Sequence, residues 1–296
     1  MEDEPLDASA VSPAPGHDGQ ARVHGNQMTL IDRLRALFPD ASGRSLKQWL
    51  EHGRVAVSGR VVRDGRAVVT PDASVALRSH GEVPFPPPLR LVHEDDDLLV
   101  IDKPPGLLTI GTERERERTV YRLLWDYLAA QRPVRRPFIV HRLDRETSGL
   151  LVFAKSPGAK RKLQQQFEAR TAERGYIAVV EGRVAAEAGT LESRLTQDRD
   201  LRVRSARSGK QAITHYRLLA RRRDTTVLEL SLGTGRRQQI RVQLAELGHP
   251  IVGDREHGSR RNPFGRLGLH ARRLRLVHPA TGRAVTFESA APAGWV

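Results

Sequence analysis

Two apolar runs, Phe138-Ile139-Val140 and Leu150-Leu151-Val152-Phe153, bracket the segment His141-Arg142-Leu143-Asp144-Arg145-Glu146-Thr147-Ser148-Gly149. The fold has to bury the runs while carrying the charged residues between them. The segment holds one carboxylate, Asp144, between Arg142 and Arg145. A carboxylate with cationic neighbours is expected to stay ionised at neutral pH. An ionised, positioned carboxylate can serve as a nucleophile or a base. On its residues alone, Asp144 could equally cap a turn through Thr147 and Ser148.

The rest of the chain supplies the charge context. Of 296 residues, 49 are Lys or Arg and 35 are Asp or Glu, giving a formal net charge of +14. Such a balance points to a polyanionic partner, nucleic acid above all. Most of the positive charge is arginine, which suits bidentate phosphate contacts. There is no cysteine, so disulfides and thiolate metal sites are excluded. The histidines show no HxxxH or HxH pair, and no metal site is expected. No stretch approaches the roughly 18 apolar residues of a membrane span. The opening Met1-Glu2-Asp3-Glu4 lacks the pattern of a secretory signal. A cytoplasmic protein with no membrane contact, acting as a monomer, is expected.

Four regions are expected along the chain. Residues 1–27 read as a disordered acidic tail. Residues 28–80 read as a compact basic unit. Leu30, Leu34, Leu37 and Phe38 mark a helix stopped at Pro39, and Leu46, Trp49 and Leu50 mark a second closed by Gly53. Val55-Ala56-Val57, a Ser58-Gly59 turn and Val61-Val62 read as a hairpin. Residues 79–89 are proline-rich, and 81–89 are taken as a semi-rigid linker. Residues 90–296 form the second domain. There, strands at Leu98–Ile101, Tyr176–Val180 and Val227–Leu232 outnumber the helices. One helix opens at Ser156-Pro157, and another, through Ile240 and Leu244, ends at Gly248. Strands and helices do not alternate one for one, so the class is α+β with a mostly antiparallel sheet.

Five motifs in order carry a resemblance. They are Leu91 to Pro104 with its Asp102-Lys103-Pro104 turn, His141-Arg142-Leu143-Asp144 with Thr147-Ser148-Gly149-Leu150, and Gly175-Tyr176 to Gly182. Thr234 to Gln243 with Gly248 to Asp254, then Leu269-His270-Ala271 with Val277-His278-Pro279, complete the set. Residues 90–296 resemble the RluA family of RNA pseudouridine synthases over almost their whole length. Asp40 to Arg60 resembles the S4 RNA-binding domain, although Thr29-Leu30-Ile31 stands where that domain opens with Arg-Leu-Asp.

The resemblance implies an intramolecular transferase that isomerises specific uridines to pseudouridine in structured RNA, with no cofactor and no metal. Asp144 matches the catalytic aspartate, attacking ribose C1′ or abstracting the 2′ proton. Tyr176 matches the tyrosine that packs on uracil and can handle the C5 proton. Arg241 matches the basic residue that pairs with the aspartate. Arg142 and Leu269 match residues at the base pocket, and Arg44, Lys47 and Arg54 of the S4-like unit would bind RNA phosphates. Ribosomal RNA is expected over transfer RNA. The chain departs from many members at Arg237, Gln238 and Gln243, which is expected to alter how that helix end meets RNA. Two other readings stand beside it. One is a non-catalytic RNA-binding factor in ribosome assembly. The other is an enzyme that cleaves a base from nucleic acid, which usually needs a second acid or an activated water.

Overall fold

The computed structural model describes residues 28–295 apart from 52, 78–82, 114, 132 and 199–201. The expected acidic tail therefore lies outside the described residues.

The first unit starts with β1 (Met28–Thr29) and α1 (Leu30–Leu37). The Thr29 hydroxyl accepts the Asp32 N–H and caps α1. Then come α2 (Gly43–Glu51), β2 (Val55–Val57), β3 (Arg60–Val61), β4 (Val68–Val69) and β5 (Val75–Leu77). Leu30, Leu34, Leu46, Leu50, Val55 and Val69 form a small core of their own. Arg44 and Lys47 project into solvent from α2, while the Arg54 guanidinium lies 5.6 Å from the Trp49 ring centroid. Arg63 does not face outward. Its Nη2 donates to the Asp126 carbonyl at 2.6 Å and fastens this unit to the next.

The described part of the proline-rich segment is not a free spacer. Phe85 meets Tyr127 edge-on at 4.9 Å, and Leu89 is buried in the main core. Beyond it run β6 (Arg90–Glu94), β7 (Leu98–Lys103), α3 (Val120–Ala130), β8 (Phe138–Ile139), β9 (Ser148–Ala154) and α4 (Pro157–Glu168). Ser156 caps α4 through the Ala159 N–H. Then follow β10 (Glu173–Glu181), β11 (Ala188–Gln197), β12 (Val203–Ser205), β13 (Lys210–Arg221), β14 (Thr225–Leu232), α5 (Gln239–Glu246), β15 (Leu269–Val277) and β16 (Ala284–Glu288). Eleven strands form one sheet in the order β12-β11-β13-β14-β10-β15-β9-β7-β6, with β16 on β15 and β8 on β9. One core cluster joins α3 and α5 to the sheet through Leu124, Leu228 and Ile240. A second joins α4 through Leu163, Leu150 and Val152.

Every strand pair in this sheet is antiparallel except β9 with β15, which run parallel at Ser148–His270 and Gly149–Ala271. That joint comes immediately after the Asp144 segment. Gly149 has φ +109°, and a Cβ there would overlap the backbone of Ala271. Only glycine lets the two strands approach so closely. Gly248 also has positive φ, but a Cβ there meets open space. We expect Gly248→Ala to cost about 1 kcal/mol, the strain of positive φ alone. Gly149→Ala should cost at least about 3 kcal/mol because backbone must move as well. Guanidinium unfolding of both variants checks the difference.

Candidate active site

The Asp144 segment has no regular structure, so single side chains hold it. Thr109 Oγ1 donates to the Leu143 carbonyl at 2.8 Å and accepts the Leu143 N–H at 3.2 Å. The Arg145 carbonyl accepts the Gly106 N–H at 2.9 Å and the Lys103 ammonium at 2.9 Å. The same ammonium donates to the carbonyls of Pro104 and Leu107 at 3.0 and 2.8 Å. Lys103 is fully buried. Burial pulls its pKa down to about 7, against the opposing pull of Glu146 and Asp144. His141 Nε2 accepts the Val152 N–H at 3.2 Å, and its ring stacks on Phe167 at 4.6 Å. Burial, aided by the Arg174 charge, drops its pKa to about 3, so His141 is a neutral packing residue.

A hydrogen-bonded chain fixes the far end of the segment. Ser289 donates to the Asp102 carboxylate at 2.5 Å, so its oxygen must accept from His270 Nε2 at 3.1 Å. His270 Nδ1 is then the acceptor for Ser148 at 2.8 Å, and Ser148 accepts from Arg266 at 2.5 Å. The two charged ends set every proton in the chain. His270 is accordingly held neutral, and burial lowers its pKa.

Asp144, Tyr176, Arg241, Arg142 and Leu269 all line one cleft of about 640 Å³. Arg44, Lys47 and Arg54 are not among its lining residues. Tyr176 and Leu269 present one edge to the cleft and otherwise belong to the core. Among the described residues, no hydrogen bond occupies the Asp144 carboxylate; its backbone carbonyl accepts the Thr147 N–H at 3.2 Å. The carboxylate is not a turn cap.

Two expectations need correction. Arg241 makes no ion pair with Asp144. Its Nε and Nη2 grip Asp254 at 2.7 and 2.6 Å, and Nη2 also reaches Glu256 at 2.8 Å. The Asp254 side chain is fully buried. A guanidinium bound bidentately to one carboxylate is committed to it. Arg241 nonetheless remains the cation that acts most strongly on Asp144, ahead of Arg142 and Arg237. The second correction concerns charge. Desolvation outweighs these cations, and the Asp144 carboxyl is raised above the usual carboxylate range. Tyr176 is likewise raised by burial and is a neutral phenol.

Gln243 and Gln238 also differ from expectation. Gln243 is buried, accepts from Thr214 at 2.7 Å and donates to Ser193 at 3.0 Å. It ties α5 to the sheet and does not meet the cleft. Gln238 lines the cleft but donates to Glu256 at 2.9 Å. Lys103 and Asp254 lay inside quoted motifs without an assigned role, and no spacing in the sequence pairs Asp254 with Arg241.

Residues 97–246 match the model of the RNA pseudouridylate synthase family. The chain is 35% identical to the "Ribosomal large subunit pseudouridine synthase D" of Haemophilus ducreyi, over 90% of this chain and 88% of that protein. It is 37% identical to the protein of that name from Pseudomonas aeruginosa, over 88% of each chain. Among solved structures, "Human RNA Pseudouridylate Synthase Domain Containing 4" superposes with a TM-score of 0.57 at 25% identity, covering 69% of this chain and 89% of that one. The chain belongs to the RNA pseudouridylate synthase family. It is an enzyme that isomerises uridine to pseudouridine in RNA, and its α+β sheet is the fold of that family.

Two variants probe the cleft. A folded-state pKa above the unfolded value means that ionising Asp144 opposes folding. The resulting loss of stability is absent below pH about 4 and complete above the raised pKa. Asp144→Asn should therefore raise Tm at neutral pH, with the gain vanishing in acid. Lys103→Met leaves the Pro104 and Leu107 carbonyls without a donor and the Arg145 carbonyl with the Gly106 N–H alone, and should cost about 3 kcal/mol. Thermal unfolding from pH 3 to 8 reads both.

Proposed function

We propose that the chain acts on ribosomal large-subunit RNA, with Asp144 as the group that reacts at the ribose. The observation that carries the site assignment is the unoccupied Asp144 carboxylate in a cleft whose arginines lie close without pairing to it. The substrate assignment is supported by the relatives named for the ribosomal large subunit, which align over nearly their full length. A uridine inside a stacked helix must be extruded to reach such a cleft. Tyr176 lines the cleft beside the base, where aromatic stacking is worth on the order of 1–3 kcal/mol. Leu269 packs at the same pocket, and exposed Arg142 is placed to fill the gap that the nucleotide leaves. Arg241, held by Asp254 and Glu256, offsets the desolvation of Asp144 from a distance. The N1–C1′ bond breaks, the base turns, C5 joins C1′, the C5 proton leaves and N1 is protonated. Nothing else is consumed.

Residues 28–80 are read as an S4-like accessory that adds phosphate contacts through Arg44, Lys47 and Arg54. No helix among the described residues is long and apolar enough to cross a membrane. We place the protein in the cytoplasm as a monomer, with RNA as its partner.

Mapping pseudouridines in ribosomal and transfer RNA from cells with and without the gene tests the substrate. Loss of a large-subunit site is expected; loss of a transfer-RNA site alone would overturn the ribosomal reading. Asp144→Asn should abolish tritium release from C5-labelled uridine RNA and leave RNA binding within a few-fold. Near-normal turnover by that variant would refute the assignment.

Deleting residues 28–80 should raise KM for long RNA and flatten the dependence of log affinity on log salt, because each lost phosphate contact removes released counterions. Its kcat should change much less. An unchanged salt slope would make the unit a structural cap.

A further inference from the structure

A second cleft, also about 640 Å³, runs on from the first and shares Arg170, Arg174, Tyr176 and Leu232 with it. Arg170 is exposed, and three other arginines of this cleft have carboxylate partners. Arg217 pairs with Glu229 at 2.6 Å, Arg272 approaches the same carboxylate at 4.0 Å, and Arg273 pairs with Glu288 at 3.7 Å. Arg174 sits at the junction of the two clefts and differs from them. Among the described residues it has no carboxylate partner, and its Nε is buried without a hydrogen-bond acceptor.

Arg174 is nevertheless held in place. Its guanidinium lies 5.7 Å from the Phe167 ring centroid, and Phe167 stacks in turn on neutral His141. On another side it lies against Gly235, where any Cβ would overlap Nη1. A π-face attracts a cation but accepts none of its N–H donors as a carboxylate would. Burial lowers its pKa, the expected response of a cation lacking an anion. A half-buried guanidinium whose buried Nε has no acceptor calls for an anion that arrives with the substrate. In a substrate made of RNA, the anion beside a reacting uridine is a backbone phosphate.

We propose that Arg174 and the second cleft form a phosphate subsite that binds the RNA backbone next to the uridine extruded at Asp144. The proposal rests on RNA being the substrate, not on which RNA it is. Arg174 acts by binding, so its loss should appear in KM.

The test uses the full chain and a short RNA containing the uridine that the wild type converts, ribosomal or transfer. With no wild-type turnover on the mapped RNA, the substrate reading fails before Arg174 is reached. Arg174→Gln should raise KM about tenfold with kcat within threefold, and lower the slope of log KM against log salt by about 0.7, one single-strand phosphate contact. Arg174→Lys should recover part of the loss. Neutral methylphosphonate linkages are then placed singly around the uridine. One linkage should raise the wild-type KM about tenfold yet leave the Arg174→Gln KM unchanged. Penalties that multiply at every linkage overturn the proposal. So does a fall in kcat with KM and salt slope unchanged. If Arg174→Gln does not fold, the wild-type scan decides alone, because a flat response at all flanking linkages refutes a phosphate subsite.

Discussion

The Lys103 ammonium is the contact on which the catalytic segment depends. Its three N–H groups meet three carbonyls, two from the turn after β7 and one from Arg145, next to Asp144. The geometry satisfies an ammonium completely, and no acid neutralises it directly. A fully buried lysine is expensive, and the pull of its pKa toward 7 records that cost. The return is rigidity in a stretch that cannot use sheet hydrogen bonds. Asp144 must point into a cleft, so its backbone lies outside the ladder that Ser148 then enters. Thr109 and the Ser148–His270 chain complete the support at either end. A reactive side chain is positioned only as well as the shell around it, and this shell consists of individual side-chain hydrogen bonds.

The second organising feature is the division of charge around Asp144. Had Arg241 gripped Asp144 with both donors, the carboxylate oxygens would face a guanidinium and not a ribose. Asp254 prevents this by taking the bidentate grip itself, and Glu256 adds a further contact. Arg241 then acts on Asp144 through space, strongly enough to oppose desolvation and too indirectly to cover the oxygens. The raised carboxyl is the residue of that balance. It makes Asp144 more basic than a surface aspartate, in line with the role at the ribose proposed for it. Asp254 therefore bears on Asp144 through Arg241, which it holds.

How much of this was legible depended on the range of the interaction. Caps and short-period patterns are local, so α1, α2, α4, α5 and the strands at Leu98, Tyr176 and Val227 could be read from neighbouring residues. The antiparallel α+β class followed from their order. Helix α3 went unread although Thr119 caps it and Val120, Leu124 and Leu128 repeat at helical spacing. The long β11 and β13 were also missed. In β11 exposed and half-buried residues alternate, leaving only Leu195 buried, so its hydrophobic signal is weak. Gathering Asp144, Tyr176, Arg241, Arg142 and Leu269 into one cleft was expected from the motifs. The true partner of Arg241 was not, because both acids within reach of its guanidinium follow it in a loop that periodicity does not describe. Arg174 was invisible for a related reason: an arginine without a partner looks in sequence like any other arginine.

The departures at α5 show how burial changes the meaning of a substitution. Gln243 looks like a change at a helix end facing RNA. In the fold, its amide is used up inside, accepting from Thr214 and donating toward Leu191, Ser193 and Ala212. Gln239 does the same with Thr234, Ile213 and Thr214. Two buried amides thus lock α5 onto β13 where aliphatic side chains would only pack, and each amide fixes register as well as distance. That register delivers Arg241 to Asp254 and sets Arg236 and Arg237 at the mouth of the cleft. Arg237 is exposed and lies among the cations that act on Asp144. It is the departure that is both exposed at the cleft and part of the charge balance of the site, whereas Gln243 is buried and keeps the helix in place.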